Sequence, residues 1–369
     1  MKVFLVNSTK TWGGGEKWHL ETACTLRDKG YEVSILALQG KDLFKRSLAA
    51  GIRTMPISIS NISFINPFCL ISLIQLFRHE KPDVLVLNFS ADIKTAGIAA
   101  KWAGIKNIVY RRGSAIPIRD TLINRLLYKK IITHIIANSQ ETKRTILKNN
   151  RKLYPSDKIS VIYNGIDLAQ FDSLPDIQLF KRTDKEVLIG NVGRLVLQKG
   201  QKFLIEMAIL LKKKDINFKI LIAGEGPLET SLKETAAGAG VEDRIVFLGF
   251  INNVKAFMEN IDIFVLPSIW EGFGYVLVEA MACRKPVVAF NISSNPEIIT
   301  NNETGFLVDP LDITTFTQKV EYLSKDVNLC ETLGKAGRKR VEEFFEIERT
   351  QKNVEALLVG LVNCELLVG

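Results

Sequence analysis

The chain of 369 residues is 47% hydrophobic and 24% charged, with a formal net charge of +9. It is too long for one ordinary core, which sets the expectation of two domains, and its composition excludes a disordered or low-complexity chain. The charge is uneven: residues 1–170 hold 26 Lys+Arg against 12 Asp+Glu, and the remainder 23 against 28. A basic first half implies an anionic partner (membrane lipid, phosphorylated glycan or nucleic acid) or a solvated surface that aids solubility.

The opening MKVFLVNST reads as a buried strand and lacks the basic end and long apolar core of a signal peptide. It runs into Trp12-Gly13-Gly14-Gly15-Glu16 and a helix over 16–29, with Gly30 as its C-terminal cap. Glycines at such a turn permit close backbone approach, and the helix start offers N–H groups to an anion; a plain tight turn is the alternative. The runs EVSILAL, DVLVLNF, NIVYRRG, HIIANS and SVIYNG then alternate with helical patterns. The longest apolar run, FCLISLIQLF, is too short to span a bilayer and is soon interrupted by Arg78, so a cytoplasmic chain is expected. Segment 118–131 sets Leu122, Ile123, Leu126 and Leu127 among Arg119, Arg125, Lys129 and Lys130. That is a basic amphipathic helix for an anionic membrane surface, or a core helix with a solvated basic face.

The polar segment 173–186, SLPDIQLFKRTDKE, is the linker candidate and divides an N-terminal domain, 1–172, from a C-terminal one, 186–345. The second domain repeats the alternation with VLIGNVG, KILIAGEG, IVFLGF, IFVLPS and PVVAFN. Continuous apolar strands alternating with helices predict an α/β fold of two doubly wound parallel sheets, with the default site in the cleft between them.

Within that half, GNVGRLVLQKG places Arg194 and Lys199 just past a strand's carboxyl end, where a planar fork and a compact charge can hold a diphosphate. Ala223-Gly224-Glu225-Gly226-Pro227 and Phe250-Ile251-Asn252 are further turns on the same rim. In SIWEGFGYVLVEAMA, Glu271 lies in the loop after a strand, Gly272, Phe273 and Gly274 form the turn, and Glu279 sits within the helix. Backbone N–H groups there suit phosphate or sugar oxygens, and Glu279 suits a ribose diol; each alone could be a solvated loop or surface residue.

Metal and common cofactor sites are not indicated. The three histidines, His19, His79 and His134, have no HExxH spacing, and DxD, the P-loop and GxGxxG are all missing. Five scattered cysteines without a CxxC pair argue for reduced thiols and against a disulfide frame or zinc site.

GGGE near the start, NGID at 164–167, VGRLVLQKG, AGEGP and EGFGYVLVEAMA together resemble, in order and spacing, family 4 of the retaining glycosyltransferases. The resemblance covers nearly the whole chain and implies the GT-B architecture: an acceptor-binding N-terminal half and a donor-binding C-terminal half. It also implies a last helix, 346–369, packing back on the first domain. By the family's pattern Arg194 and Lys199 hold the donor diphosphate, Glu279 the ribose, and Glu271 lies near the transferred sugar. Gly224, Ile251, Gly272, Phe273, Gly274, Tyr275 and Val276 belong to the donor site, with Gly13 and Gly14 approaching from the other domain. The expected donor is a UDP-, GDP- or ADP-sugar, as substrate and with no cofactor or metal; the expected acceptor is a glycan or lipid-linked glycan.

One departure stands out. Where many relatives carry a histidine after the fourth strand, this chain reads Tyr110-Arg111-Arg112-Gly113-Ser114. Glu16, Arg111 and Arg112 are therefore candidates for the acceptor or sugar side. The competing readings are a sugar-nucleotide epimerase or hydrolase of similar architecture and a non-catalytic nucleotide-sugar-binding protein. Nucleic-acid binding is not expected, because no aromatic platform or helix-turn-helix pattern accompanies the basic charge.

Overall fold

A computed structural model describes residues 1–183 and 186–366. The chain forms two compact units: residues 1–164 with the C-terminal helix from Glu348, and residues 165–347.

The first unit is a seven-stranded sheet in the order β3-β2-β1-β4-β5-β6-β7. Its strands are β1 (Lys2–Asn7), β2 (Glu32–Leu38), β3 (Arg53–Ile57), β4 (Val84–Leu87), β5 (Asn107–Arg112), β6 (His134–Ala137) and β7 (Ile159–Val161). Every pairing is parallel. The central strands are apolar at consecutive positions because helices cover both faces. In β1, Phe4 and Val6 join one core with Phe77, Leu87 and Tyr128, while Val3 and Leu5 join another with Trp18, Leu26, Val354 and Leu358. The helix Ile347–Leu366 thus supplies part of the second layer. Tyr31 donates to Glu355 at 3.0 Å, and Thr350 donates to the Tyr163 carbonyl at 2.9 Å. Of the expected helix 346–369, residues 367–369 lie outside the described residues.

The second unit is a six-stranded sheet in the order β10-β9-β8-β11-β12-β13. Its strands are β8 (Val187–Val192), β9 (Phe218–Ala223), β10 (Ile245–Gly249), β11 (Ile263–Leu266), β12 (Val287–Phe290) and β13 (Phe306–Val308). They too are all parallel. In each sheet the order reverses once, beside β1 and β4 in the first and beside β8 and β11 in the second. Loops at the carboxyl ends of such a pair diverge to opposite faces and leave a crevice, the usual ligand position in open α/β sheets.

The boundary differs from the one read in the sequence. The chain passes between units at Asn164 and Gly165 rather than within 173–186, and residues 184 and 185 of that segment lie outside the described residues. The reason is packing. Leu168 and Phe171 are buried, and Arg338 forks onto Asp172 at 2.8 Å. Asn260 and Lys255 hold Ile177 and Asp176, so a polar, proline-containing stretch is bound to the second unit. The return passage lies alongside, where Ile166 donates to the Phe345 carbonyl and Ile347 donates back to that of Ile166.

Candidate active site

In the second unit, β8 and β11 deliver the loops that carry the predicted cations and carboxylate. The Asn191 amide donates to the Val265 carbonyl at 2.8 Å, tying the two strands at the reversal. Past β8 the chain is latched to the next loop by Gly193 N–H to Ala223 and Leu195 N–H to Glu225, both 2.9 Å. Gly224 has φ +133°, and a Cβ there would lie 2.1 Å from the Gly193 carbonyl oxygen, so only glycine permits this contact. Gly200, with φ +66°, lets the turn after Lys199 approach the Pro267 carbonyl, which a Cβ would meet at 2.0 Å.

That close approach brings Lys199 to Glu271. Lys199 Nζ donates to Glu271 Oε1 at 2.6 Å, and the Ser268 hydroxyl donates to the same oxygen at 2.7 Å. Glu271 is only 4% exposed, so its charge is held in place by paired donors rather than by water. Gln198 donates to the Trp270 carbonyl, and Ile269 N–H to that of Gln198, which locks the two loops together. Arg194 is exposed on this rim, and no described carboxylate pairs with its guanidinium. Lys199 thus uses one of its N–H groups on Glu271 and keeps the others for an incoming anion, while Arg194 pairs with no described carboxylate.

Gly272, Phe273 and Gly274 are buried and lead into the helix Tyr275–Ala282, whose first turn has no side-chain cap. Tyr275 N–H donates to the Phe273 carbonyl at 3.0 Å and Leu277 N–H to that of Gly274 at 2.9 Å, which leaves those of Gly274 and Val276, among the described residues, as donors for an anion. Leu277, Val278, Ala280 and Met281 face the core, while Tyr275, Val276 and Glu279 are partly exposed on one side, as 3.6-residue periodicity requires. Gly224 and Ile251 are both partly exposed, after β9 and β10 on the same sheet.

In the first unit Gly13 caps the helix Gly14–Asp28, accepting from Lys17 N–H at 3.0 Å. Glu16, in its first turn, is 5% exposed and accepts from the Asn7 amide at 3.1 Å. Burial pushes its carboxyl above the usual range, against Asn7 and the Arg111 charge, which favour the ionised form. Arg111 donates to Asn164 at 2.9 Å and lies over the Trp18 ring, 5.2 Å from its centre. A Cβ on Gly15 would fall 3.0 Å from Asn88 and 3.5 Å from Arg111, so the glycine turn, β4's end and β5's end meet there.

Arg111 and Arg112 are neighbours, yet strand alternation sends them to opposite faces. Arg112 leaves this group and donates to the Tyr110 hydroxyl at 3.1 Å and to the Ile116 carbonyl.

Two members of the first group carry little signal in sequence. His19 is fully buried, and Nδ1 donates to the Gly15 carbonyl at 2.9 Å. Burial, with Arg111 nearby, pushes its pKa down to about 3, so the imidazole is neutral. Asp92, fully buried after β4, accepts from Phe89 N–H at 2.8 Å, and burial pushes it up to about 7. In the second unit, Ser268 was legible only as a strand-end residue three positions before Glu271.

Comparison with known proteins bears on this arrangement. A family model described as Glycosyltransferase Family 4 matches residues 12–170, and one described as Glycosyl transferases group 1 matches residues 176–340. The chain is a glycosyltransferase, similar to family 4 over its first half. It is 29% identical, over 90% of each chain, to the capsular polysaccharide biosynthesis glycosyltransferase CapM of Staphylococcus aureus. It is also 29% identical, over 84% of this chain and 83% of the other, to an Escherichia coli UDP-Gal:α-D-GlcNAc-diphosphoundecaprenol α-1,3-galactosyltransferase. The fold of this transferase matches that of Anabaena HepE, solved in complex with UDP, with a TM-score of 0.84 at 20% identity over 98% of this chain and all of the other. Its two Rossmann-like units are those of the GT-B fold. No described helix is long and apolar enough to cross a membrane.

Proposed function

We propose that this transferase moves a sugar from a nucleotide-sugar to a glycan or lipid-linked glycan of the cell envelope, with retention of anomeric configuration and without a metal ion. The observation that carries the reading is the Lys199–Glu271–Ser268 cluster beside the open Arg194, at the sheet's reversal point. Bond cleavage builds positive charge on the sugar ring and negative charge on the departing diphosphate. Arg194, Lys199 and the helix start at Gly274 answer the second charge with donors held in place beforehand. Ser268 and Lys199 converge on Oε1 of Glu271, which leaves Oε2 to face the sugar and favour its oxocarbenium character. Glu279 takes the ribose hydroxyls from the exposed side of its helix.

Retention fits attack from the face the diphosphate leaves. The acceptor oxygen bonds to the anomeric carbon as the sugar–phosphate bond breaks, and the leaving phosphate oxygen takes the acceptor proton. The first unit, with Glu16 and Arg111, is the acceptor-side half of this reading, and Gly13 and Gly14 belong with the donor residues. A uridine donor is favoured by the UDP bound in HepE and by the UDP-galactose in the E. coli relative's name. The envelope role is favoured by the names of that relative and of CapM.

The test is transfer by Glu271→Ala and Lys199→Ala, each with a folded-state check by circular dichroism. Turnover falls by about 100-fold or more in each, the scale of losing one preorganised charge contact. Near-normal transfer in both sinks the assignment. Full conversion of donor without an acceptor identifies an epimerase or hydrolase instead, and nucleotide-sugar binding with no turnover identifies a sensor.

A further inference from the structure

The first unit holds a second concave feature, away from the glycine turn. A cavity of about 340 Å³ opens where Arg112 ends β5, walled by the turn after β4 and by the segment from Pro117 to Tyr128. Lys94, Arg112 and Arg119 line it, and no acidic side chain does. Asp120, next to Arg119, is occupied by the fork of Arg125 and by Asn150. Asp92 lies buried against the Phe89 backbone. Three unopposed cations around one hollow repel each other unless an anion enters.

Arg112 is fixed in that hollow. Two of its nitrogens are held by Tyr110 and Ile116, and its buried Nε–H has no partner among the described residues. The Tyr128 hydroxyl, raised well above its ordinary pKa by burial, stands beside Tyr110 and Arg112 on the same wall. Ser90 and Thr121 add hydroxyls.

The rest of the wall is apolar, with Ile93, Ile118, Ile123 and Leu127. Beside it, aliphatic side chains stand in water: Ile116 is 47% exposed, Leu122 80% and Leu126 59%. The core does not use them. A free inorganic anion would satisfy the cations and leave these residues uncovered; a ligand joining phosphate to a hydrocarbon satisfies both.

We propose that this cavity is the subsite for the phosphate or diphosphate of an acceptor carried on an isoprenoid-like chain, with Lys94, Arg112 and Arg119 on the phosphate and Leu122, Ile123 and Leu126 along the chain. The inference rests on the transferase reading and names the acceptor's chemical class.

The probe is farnesyl diphosphate, titrated calorimetrically into the full chain, with UDP titrated into the same samples as a control for the separate donor site. Farnesyl diphosphate binds the wild type, and Lys94→Gln and Arg119→Gln each weaken it about tenfold, as losing one charged hydrogen bond does. Arg112→Gln weakens it further. Inorganic pyrophosphate binds at least about tenfold more weakly than farnesyl diphosphate, and Leu122→Ser/Leu126→Ser narrows that gap. Unaltered farnesyl diphosphate binding in both Lys94→Gln and Arg119→Gln overturns the proposal. Pyrophosphate binding as well as the farnesyl compound makes the hollow a free-phosphate site. Binding only to phosphatidylglycerol vesicles, read by flotation, makes it a membrane-facing patch; either result overturns the acceptor assignment. A protein that binds UDP but not farnesyl diphosphate loses this inference alone, whereas one that binds no nucleotide or nucleotide-sugar loses the transferase reading as well.

Discussion

Two residues in the first unit titrate against each other. His19, pushed down to about 3, is neutral when folded but takes a proton near pH 6.5 when unfolded. Its contribution to stability is full above about pH 6.5 and is lost as the pH falls toward 3. Asp92, raised to about 7 from an ordinary 3.8, holds a proton when folded that the unfolded chain has already shed. Its contribution is full below about pH 4 and is lost as the pH rises toward 7. The two slopes oppose each other between about pH 4 and 6.5, so the wild-type profile understates both. Thermal unfolding across pH separates them: His19→Gln flattens the acid limb, and Asp92→Asn flattens the decline between about pH 4 and 7. At this scale the sequence was partly legible. Arg194, Lys199, Glu271 and Glu279 stood out through their order and spacing, and strand alternation alone separates Arg111 from Arg112. The Ser268, Asn164 and Asn88 contacts were not legible, because each depends on how two loops meet in space.

Elements were easier to read where burial dictated them. The strands of both sheets appear in the sequence as continuous apolar runs because both faces are covered, and that pattern survives without knowledge of partners. Segment 118–131 was harder. It is not one helix but the short helix Leu122–Leu126 followed by a wider turn over Leu127–Ile131, and only the second part is buried. Periodicity sees apolar residues at helical spacing and cannot tell which of them find a core. The glycine turns after β8 and β9 give the element-scale prediction. Gly224→Ala has no room beside the Gly193 carbonyl and an unfavourable φ, so it destabilises the second unit by more than about 1 kcal/mol. The same shift moves Arg194, and UDP affinity falls along with the melting temperature. Melting and titration of Gly224→Ala beside Gly238→Ala, where a Cβ meets nothing within 4 Å, isolate the effect of the latch.

For the molecule as a whole, two sheets of the same class were legible, but the passage between them was not. A polar, proline-containing stretch looks like a linker unless one knows that Arg338, Lys255 and Asn260 hold it. Truncation before Glu348 tests the division. It strips Val354 and Leu358 from the layer over Val3, Leu5 and Trp18 and removes the Glu355 contacts. Large aliphatic losses cost about 2–5 kcal/mol each, a sum comparable to the stability of an ordinary domain. The truncated chain is expected to lose the first unit to limited proteolysis while a fragment covering the second persists, as mass spectrometry of the digest would show.

That C-terminal helix also sets a timetable. The second unit is one unbroken stretch of chain, whereas the first is built from both ends. On the ribosome the first unit emerges early but must wait, its Trp18 layer uncovered, until the last helix has been made. The half begun first is the half finished last, which makes the nascent first unit the form of this protein most dependent on chaperones.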